Sequence, residues 1–125
     1  QLTYKDLGLQ KLVDLGQWFM EQTNLPLPLG GNAIRRDLSE DLTEKLKDVL
    51  TRSIKFSLEN RKEALEYAKE FAPDISDELA DRFIKMYVNE LSVDQGHRGK
   101  AAVEKFFAMA NEKGIFDKPV IPQFA

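Results

Sequence analysis

A proline- and glycine-containing stretch at residues 25–37 constrains the fold of this chain more than any other feature of its sequence. It reads Leu-Pro-Leu-Pro-Leu-Gly-Gly-Asn-Ala-Ile-Arg-Arg-Asp. Pro26 and Pro28 fix φ and lack backbone donors, so residues 25–29 are predicted to be extended without forming a central strand. Gly30 and Gly31 have no Cβ, so another segment or a ligand can approach the backbone closely. The stretch fits a crossing between two lobes, and it fits an edge strand as well.

Composition limits the classes of protein to which the chain can belong. Its 125 residues suit one domain or one piece of a larger protein, and 42% hydrophobic with 31% charged residues is ordinary for a globular protein. A net charge of −3 gives no electrostatic footprint for nucleic acid or an anionic membrane. The absence of cysteine excludes disulfides, thiolate metal sites and cysteine nucleophiles. Neither a membrane-spanning run nor a leader pattern is present in the sequence.

The N-terminal part is predicted to contain short, mixed elements. Residues 11–15 predict a short strand that ends at Gly16. Residues 17–23 predict one or two helical turns packed by Trp18 and Phe19. Residues 33–36 predict a second strand after the glycine pair.

Four helices are predicted after the proline stretch. Ser39 and Ser76 are good N-cap residues, and acidic residues follow each of them, where the helix dipole favours anions. Asn60 is predicted to end the first helix and cap the second, and Pro73 to end the second. Gly114 is predicted to be the left-handed residue after the last helix. Apolar residues at steps of three and four predict four core stripes: Leu42, Leu46, Val49, Leu50, Ile54 and Leu58; Ala64, Leu65, Ala68 and Phe71; Leu79, Phe83, Tyr87 and Leu91; Ala102, Val103, Phe106, Phe107 and Ala110.

Few residues point to catalytic chemistry. The single histidine, His97, is predicted in a polar loop at residues 94–99, and it lacks partners at metal-ligand spacing. Arg35 and Arg36 can each hold a carboxylate, but successive strand residues point to opposite faces, so at most one can serve a given pocket. Phosphate-binding glycine motifs and a nucleophile elbow are absent from the sequence. The residues by themselves therefore predict a helix-rich globular piece without a metal or cofactor site.

Short motifs spread in order along the chain carry a family resemblance. The most specific is Leu-Pro-Leu-Pro-Leu-Gly at residues 25–30. The others are Thr-Tyr at 3–4, Val-Asp-Leu-Gly at 13–16 with Trp18, Arg-Arg-Asp-Leu at 35–38, Glu-Ala-Leu at 63–65, Tyr-Val-Asn at 87–89 and Ala-Val-Glu at 102–104. Together they resemble the second half of 1,4-dihydroxy-6-naphthoate synthase, a family in the futalosine route to menaquinone. Phe19 and Asn32 depart from it, because a second tryptophan and an apolar residue are common at these two positions.

The resemblance implies an α/β fold of the type II periplasmic-binding-protein class, with two lobes joined by crossing strands and a ligand cleft between them. Residues 1–29 would form the end of the second lobe and the start of the hinge. Residues 30–125 would form the return strand and a helical C-terminal part packed on the first lobe. The N-terminal half of such a protein is absent from this sequence, so the chain would be its helix-rich C-terminal part.

The resemblance also implies a cytoplasmic carbon–carbon lyase that converts cyclic dehypoxanthine futalosine to 1,4-dihydroxy-6-naphthoate without metal or organic cofactor. Its base would be a histidine a few residues upstream of Gln1, so no catalytic residue is expected in this chain. The substrate-cleft candidates are Leu29, Gly30, Gly31 and Asn32 in the hinge and Tyr4 near the missing histidine, although backbone and packing roles are equally open for them. The implied partners are a small-molecule substrate and the N-terminal half, with no nucleic acid or membrane.

Three alternatives remain open at this point. Chorismate dehydratase shares the layout but tends to carry bulkier aromatic residues at the positions of residues 27–30. A solute-binding protein of the same fold would bind a small acid without turnover, since fold alone does not fix function. A free-standing helical interaction domain is the third, but apolar faces as wide as those predicted here are not expected to stand exposed. The isolated chain is therefore predicted to be inactive and only marginally soluble.

Overall fold

A computed structural model of the chain describes residues 3–125, and six α-helices make up more than half of them. The helices are α1 (Leu15–Thr23), α2 (Glu40–Glu59), α3 (Arg61–Lys69), α4 (Asp77–Tyr87), α5 (Glu90–Val93) and α6 (Gly96–Glu112). The predicted helix-rich character is confirmed. Residues 3–125 contain no β-strand, so both predicted strands are wrong for this part of the protein. Gln1 and Leu2, with which the first predicted domain begins, lie outside the described residues.

The strand predicted at residues 11–15 is replaced by an irregular segment and the first residue of a helix. Residues 11–14 have no regular structure, and Leu15 begins α1. The Asp14 carboxylate accepts a hydrogen bond from the Gln17 backbone N–H at 3.1 Å, which satisfies one of the free donors in the first turn. Capping by Asp14 thus begins a helix at the end of the segment for which a strand was predicted.

The predicted strand at residues 33–36 fails for a different reason. These residues form no backbone hydrogen bond with another described segment, and residues 33–36 are exposed. A strand requires a partner to pair its N–H and C=O groups, and residues 3–125 offer none at this place.

Most of the predicted helix boundaries are confirmed. Ser39 and Ser76 cap α2 and α4, and each hydroxyl accepts a backbone N–H at 3.3 Å. Asn60 lies between α2 and α3 as predicted, but its side-chain amide donates to the Phe56 carbonyl at 3.0 Å and does not cap α3. Gly114 adopts φ +64°, and its N–H donates to the Asn111 carbonyl at 3.0 Å. This geometry is the left-handed termination predicted for the last helix.

Two predicted boundaries are wrong. The third predicted helix was expected to run to Leu91, but α4 ends at Tyr87 and Leu91 lies on the separate short helix α5. Asn89 causes this break, because its side chain accepts the Leu91 N–H at 3.0 Å and so caps α5. His97 was predicted in a loop, but it lies in the first turn of α6.

The described residues divide into two compact units, and the chain passes between them after Gly31 and after Asp94. The N/C unit comprises residues 3–31 and 95–125, and the middle unit comprises residues 32–94. The division at residue 29 inferred from the family resemblance concerns lobes of a longer protein and stays a prediction.

An aromatic cluster organises the N/C unit. Phe19 of α1 is 1% exposed, and its ring centroid lies 6.2 Å from that of Phe106 on α6. Phe107 continues the cluster to Phe116 at 5.9 Å. Ala102 of α6 is likewise 1% exposed. The predicted packing of Phe19 in a short helix is confirmed, whereas Trp18 is 43% exposed.

Ion pairs between helices organise the middle unit. Asp81 of α4 accepts from Arg61 Nε of α3 at 2.8 Å and pairs with Lys85 Nζ at 2.6 Å. Lys69 and Asp77 form a second pair between α3 and α4. The Arg61–Asp81 and Lys69–Asp77 pairs tie α3 to α4, because each joins a residue of one helix to a residue of the other, whereas Asp81 and Lys85 lie one turn apart on α4.

The apolar stripe predicted along α2 splits into two faces. Ile54 and Leu58 are half-buried on the side of α2 that packs with α3 and α5. The other predicted core residues of the stripe are between 41% and 54% exposed: Leu42, Leu46, Val49 and Leu50. No described segment covers them, so their assignment to a core is wrong for residues 3–125. The core assignment is also wrong for Phe71, Phe83, Tyr87 and Leu91, each of which is at least 43% exposed, whereas Phe106 is 41% exposed but meets the ring of Phe19.

Candidate functional site

Four of the five candidate cleft residues lie together because they are consecutive in the chain. Residues 26–35 carry no regular secondary structure, and Leu29 is 53% exposed. Gly30, Gly31 and Asn32 are exposed as well. A Cβ added at Gly30 or Gly31 would meet no atom within 4 Å. The close approach predicted at these glycines is not made by any described residue, and the space beside them is open.

Tyr4 is placed by a turn near the start of the described chain. The turn spans residues 3–8, and the Tyr4 carbonyl accepts the Leu9 N–H at 2.9 Å. The Tyr4 side chain is half-buried. No hydrogen bond or ring contact within the described residues joins Tyr4 to Leu29, Gly30 or Gly31, so a shared site with these residues stays a prediction.

The catalytic base implied by the family resemblance was expected upstream of Gln1. That position precedes the sequence, and Gln1 itself lies outside the described residues. The base and its distance from Tyr4 therefore stay predictions.

The two arginines that follow the glycine pair have different surroundings. Arg35 forms a two-bond pair with Asp37, with Nε–Oδ1 at 2.9 Å and Nη2–Oδ2 at 2.5 Å. This pair raises the pKa of the Arg35 guanidinium and lowers the pKa of the Asp37 carboxyl below its ordinary value. Arg36 makes no ion pair in the part of the chain described. Of the two, Arg36 is therefore the cation available to a carboxylate.

Arg61 and Asp81 form a half-buried ion pair between α3 and α4 that was not predicted from the sequence, and the exposed Lys85 pairs with the same carboxylate. Asp81 has its pKa lowered, chiefly by the hydrogen bond from Lys85 and then by that from Arg61. The signal was present in the Asp81–Lys85 spacing of four residues, which places oppositely charged side chains on one helix face. All three groups are paired, so this cluster stabilises the fold and offers no free acid or base.

The remaining features add no catalytic group. His97 is exposed on α6, and residues 3–125 contain no cluster of three metal-ligating side chains. An open depression in the middle unit is lined by six residues: Leu58, Lys85, Val88, Asn89, Glu90 and Leu91. Its openness gives no means of excluding water from a reacting group. No helix within residues 3–125 has the length and apolar character needed to cross a membrane.

Comparison with known proteins places the chain in a family. A family model described as menaquinone biosynthesis matches residues 1–112, and the chain belongs to this family. It is 42% identical over 115 residues to a 1,4-dihydroxy-6-naphthoate synthase of Thermus thermophilus, and that match covers 92% of this chain. A synthase of the same name from Streptomyces coelicolor is 32% identical over 115 residues. The resemblance identified from the sequence motifs is thereby confirmed.

These relatives are longer than the chain. The match covers 42% of the Thermus thermophilus protein and 41% of the Streptomyces coelicolor protein. A crystal structure of a protein from Archaeoglobus fulgidus superposes with a TM-score of 0.86 and 44% sequence identity, covering 93% of this chain and 44% of that one. The chain thus spans less than half the length of the proteins it matches.

Proposed function

We propose that this chain is the C-terminal part of a 1,4-dihydroxy-6-naphthoate synthase that acts in menaquinone biosynthesis. The observation that carries the proposal is the 42% identity over 115 residues to the Thermus thermophilus protein of that name. The order of the sequence motifs supports the same assignment, since the motifs extend from residue 3 to residue 104.

The proposed reaction is a carbon–carbon lyase reaction that begins with proton abstraction from cyclic dehypoxanthine futalosine. The base is a histidine in the part of the protein that precedes Gln1. His97 is unsuited to the role, because it is exposed on α6. No metal or organic cofactor is needed for this chemistry, and we place the enzyme in the cytoplasm.

Residues 29–32 supply part of the cleft wall in this proposal. Their backbone has no regular secondary structure, and the space beside Gly30 and Gly31 is open, so a planar ligand can approach the main chain. In a two-lobed protein of the binding-protein class, such a segment lies where the lobes meet, and closure around it removes water from the reacting groups. Arg36 is the cation nearest in sequence that remains available to a substrate carboxylate.

The test uses a hybrid protein in which this chain replaces the segment that it matches in the Thermus thermophilus synthase. The hybrid is expected to release 1,4-dihydroxy-6-naphthoate from cyclic dehypoxanthine futalosine, and chromatography measures this product. The isolated 125-residue chain is expected to release none. A folded hybrid that instead dehydrates chorismate would assign the sister activity. Tight, reversible binding of a small acid without any product would favour a solute-binding protein.

A further inference from the structure

A charged contact joins α6 to the end of α1, directly before the proline stretch. The Arg98 guanidinium, in the first turn of α6, donates from Nη2 to the Asn24 carbonyl at 3.0 Å. Asn24 follows α1 in the left-handed conformation, with φ 57°, and the proline stretch begins at the next residue. The contact joins residues 74 positions apart in the sequence, and both lie in the N/C unit. It therefore holds the point at which the proline stretch leaves α1.

The electrostatics of the two helices explain why an arginine lies at this place. The carbonyls at the end of a helix carry partial negative charge, and α1 has no basic residue in its last turn. The first turn of a helix carries partial positive charge, and α6 has no acidic residue there to offset Arg98. A cation in this turn is thus unfavourable for α6 alone, whereas it is favourable at the C-terminus of α1. Arg98 therefore serves the junction between the two helices.

Two further contacts hold the end of α1 and the residue that starts the proline stretch. Phe19 meets Phe106 at 6.2 Å, about two turns along α6 from Arg98, so α1 is attached to α6 at two separate points. Thr23 Oγ1 donates to the Phe19 carbonyl at 2.6 Å and accepts the Leu25 N–H at 3.1 Å. The first residue of the proline stretch is thereby tied to the last turn of α1.

The proline stretch passes this geometry on to the candidate cleft residues. Its two prolines have fixed φ, and residues 25–28 are half-buried, whereas residues 29–32 are exposed. Five residues span at most about 17 Å, so a change of about 10° in direction at Asn24 would move Leu29 by up to about 3 Å. A misplacement of about 1 Å near reacting groups can lower a rate about a hundredfold. The attachment of α1 to α6 is therefore close enough to the cleft wall to affect a reaction there.

We propose that Arg98 is a positioning residue for the candidate cleft wall. Its guanidinium holds the Asn24 carbonyl and so fixes the direction in which residues 25–28 lead to Leu29 and the glycine pair. Arg98 acts through the backbone of α1 and the proline stretch, and it is not a catalytic residue. The inference rests on the proposed function for the reaction that this wall serves.

Steady-state kinetics of naphthoate release by the hybrid test the proposal with three variants. Arg98→Ala is expected to lower kcat about tenfold or more, while KM changes less than about threefold because no contact with the substrate is removed. Arg98→Lys keeps a cationic donor beside Asn24 and is expected to retain about a third or more of kcat. Lys105→Ala is the matched control, since it removes an exposed cation from the same helix, and it is expected to leave both constants unchanged.

A distance measurement tests the position of the cleft wall without using activity. Spin labels are attached at Leu29→Cys and Glu104→Cys in a hybrid with no other cysteine, since both positions are exposed and this chain contains no cysteine of its own. Pulsed electron paramagnetic resonance gives the distance between the labels. Adding Arg98→Ala is expected to shift the mean distance by about 2 Å or more, or to broaden its distribution about twofold. Adding Lys105→Ala is expected to change neither.

Two outcomes would overturn the proposal. An unchanged label distance, or a lower stability in urea with unchanged kinetic constants, would mean that Arg98 only joins two helices. A rise in KM alone would assign Arg98 to direct contact with the substrate. A label distance altered by Arg98→Ala, in a hybrid that releases no naphthoate even without this substitution, supports the positioning and contradicts the proposed function.

A second variant applies if Arg98→Ala prevents folding of the hybrid. Thr23→Val removes the hydroxyl that holds the Leu25 N–H, with little change in side-chain volume. It is expected to give the same fall in kcat and the same change in label distance. An unchanged kcat and an unchanged distance in this variant would overturn the proposal.

Discussion

At the scale of single residues, the candidate cleft wall contains two glycines that have free space where a side chain would lie. Gly30 and Gly31 have no described neighbour within 4 Å of an added Cβ, and neither adopts a positive φ. Their lack of a side chain is therefore not required by the conformation of the described chain. A requirement imposed by a ligand or by another part of the protein would explain two adjacent glycines at this position.

The Gly31→Val substitution separates these explanations. In the isolated chain we expect its free energy of unfolding to change by no more than about 0.5 kcal/mol, because the site is exposed and unstrained. In the hybrid we expect kcat/KM for naphthoate release to fall at least tenfold, equivalent to about 1.4 kcal/mol, because the side chain enters the cleft. Urea unfolding and steady-state kinetics measure the two effects. Unchanged kinetics in a folded hybrid would remove Gly31 from the cleft wall.

Gly114 provides the opposite case, in which the conformation itself requires glycine. Its φ is +64°, and its N–H closes the end of α6. Gly114→Ala is expected to destabilise the chain by about 1 kcal/mol, because a Cβ is disfavoured in the left-handed region. Gly30→Ala is the matched control with no expected loss, since its backbone is not left-handed. Thermal unfolding of the two variants compares them directly, and equal melting temperatures would contradict this account of the helix end.

At the scale of helices and strands, the sequence predicted those features that depend on local chemistry. The caps at Ser39 and Ser76 and the termination at Gly114 form as predicted, because each needs only neighbouring residues. The strand predicted at residues 33–36 requires a partner from elsewhere, and none of the described residues provides one. The break before α5 was missed because the cap formed by Asn89 interrupts a pattern of apolar residues that continues through it.

The pairing between α3 and α4 predicts a pH-dependent stability. The lowered pKa of Asp81 means that the folded state favours the ionised carboxylate. The contribution of this carboxylate to the free energy of unfolding is therefore complete above the ordinary aspartate pKa, near pH 4, and is lost as the pH falls through the lowered pKa. Asp81→Asn is therefore expected to reduce stability at pH 7 and to cost less at pH 2. Urea unfolding at both pH values tests this expectation. Asp48→Asn, at an exposed pair on α2, is the control and is expected to cost less at pH 7. An Asp81→Asn cost that is equal at both pH values would contradict the account.

The aromatic cluster is expected to be the main determinant of stability in the N/C unit. Phe19→Ala removes the buried ring that meets Phe106 and is expected to cost about 3–5 kcal/mol. Phe71→Ala makes the same change at a side chain that is 73% exposed and is expected to cost about 1 kcal/mol or less. Chemical denaturation followed by circular dichroism measures both. Similar losses for the two variants would show that Phe19 is not the centre of a core.

At the scale of the whole molecule, the chain contains more apolar surface than its own residues cover. The buried apolar side chains among the described residues are Phe19, Ala80 and Ala102, while long stretches of Leu, Val, Phe and Tyr side chains stay exposed. The sequence therefore predicted where the helices lie and which of their faces are apolar, but not what covers those faces. The candidate site shows the same limit, because the described structure contains residues 29–32 and Tyr4, while the base and most of the substrate contacts that we propose lie outside this sequence.

We propose above that this chain, joined to the missing part of the protein, forms an active 1,4-dihydroxy-6-naphthoate synthase. The most direct measurement is product release by the hybrid, compared with a second hybrid that carries the matched segment of the Streptomyces coelicolor synthase, which is 32% identical to this chain. Both hybrids are expected to release 1,4-dihydroxy-6-naphthoate, and neither part alone is expected to do so. Product from the Streptomyces coelicolor hybrid, with none from a folded hybrid carrying this chain, would show that this chain does not complete the synthase.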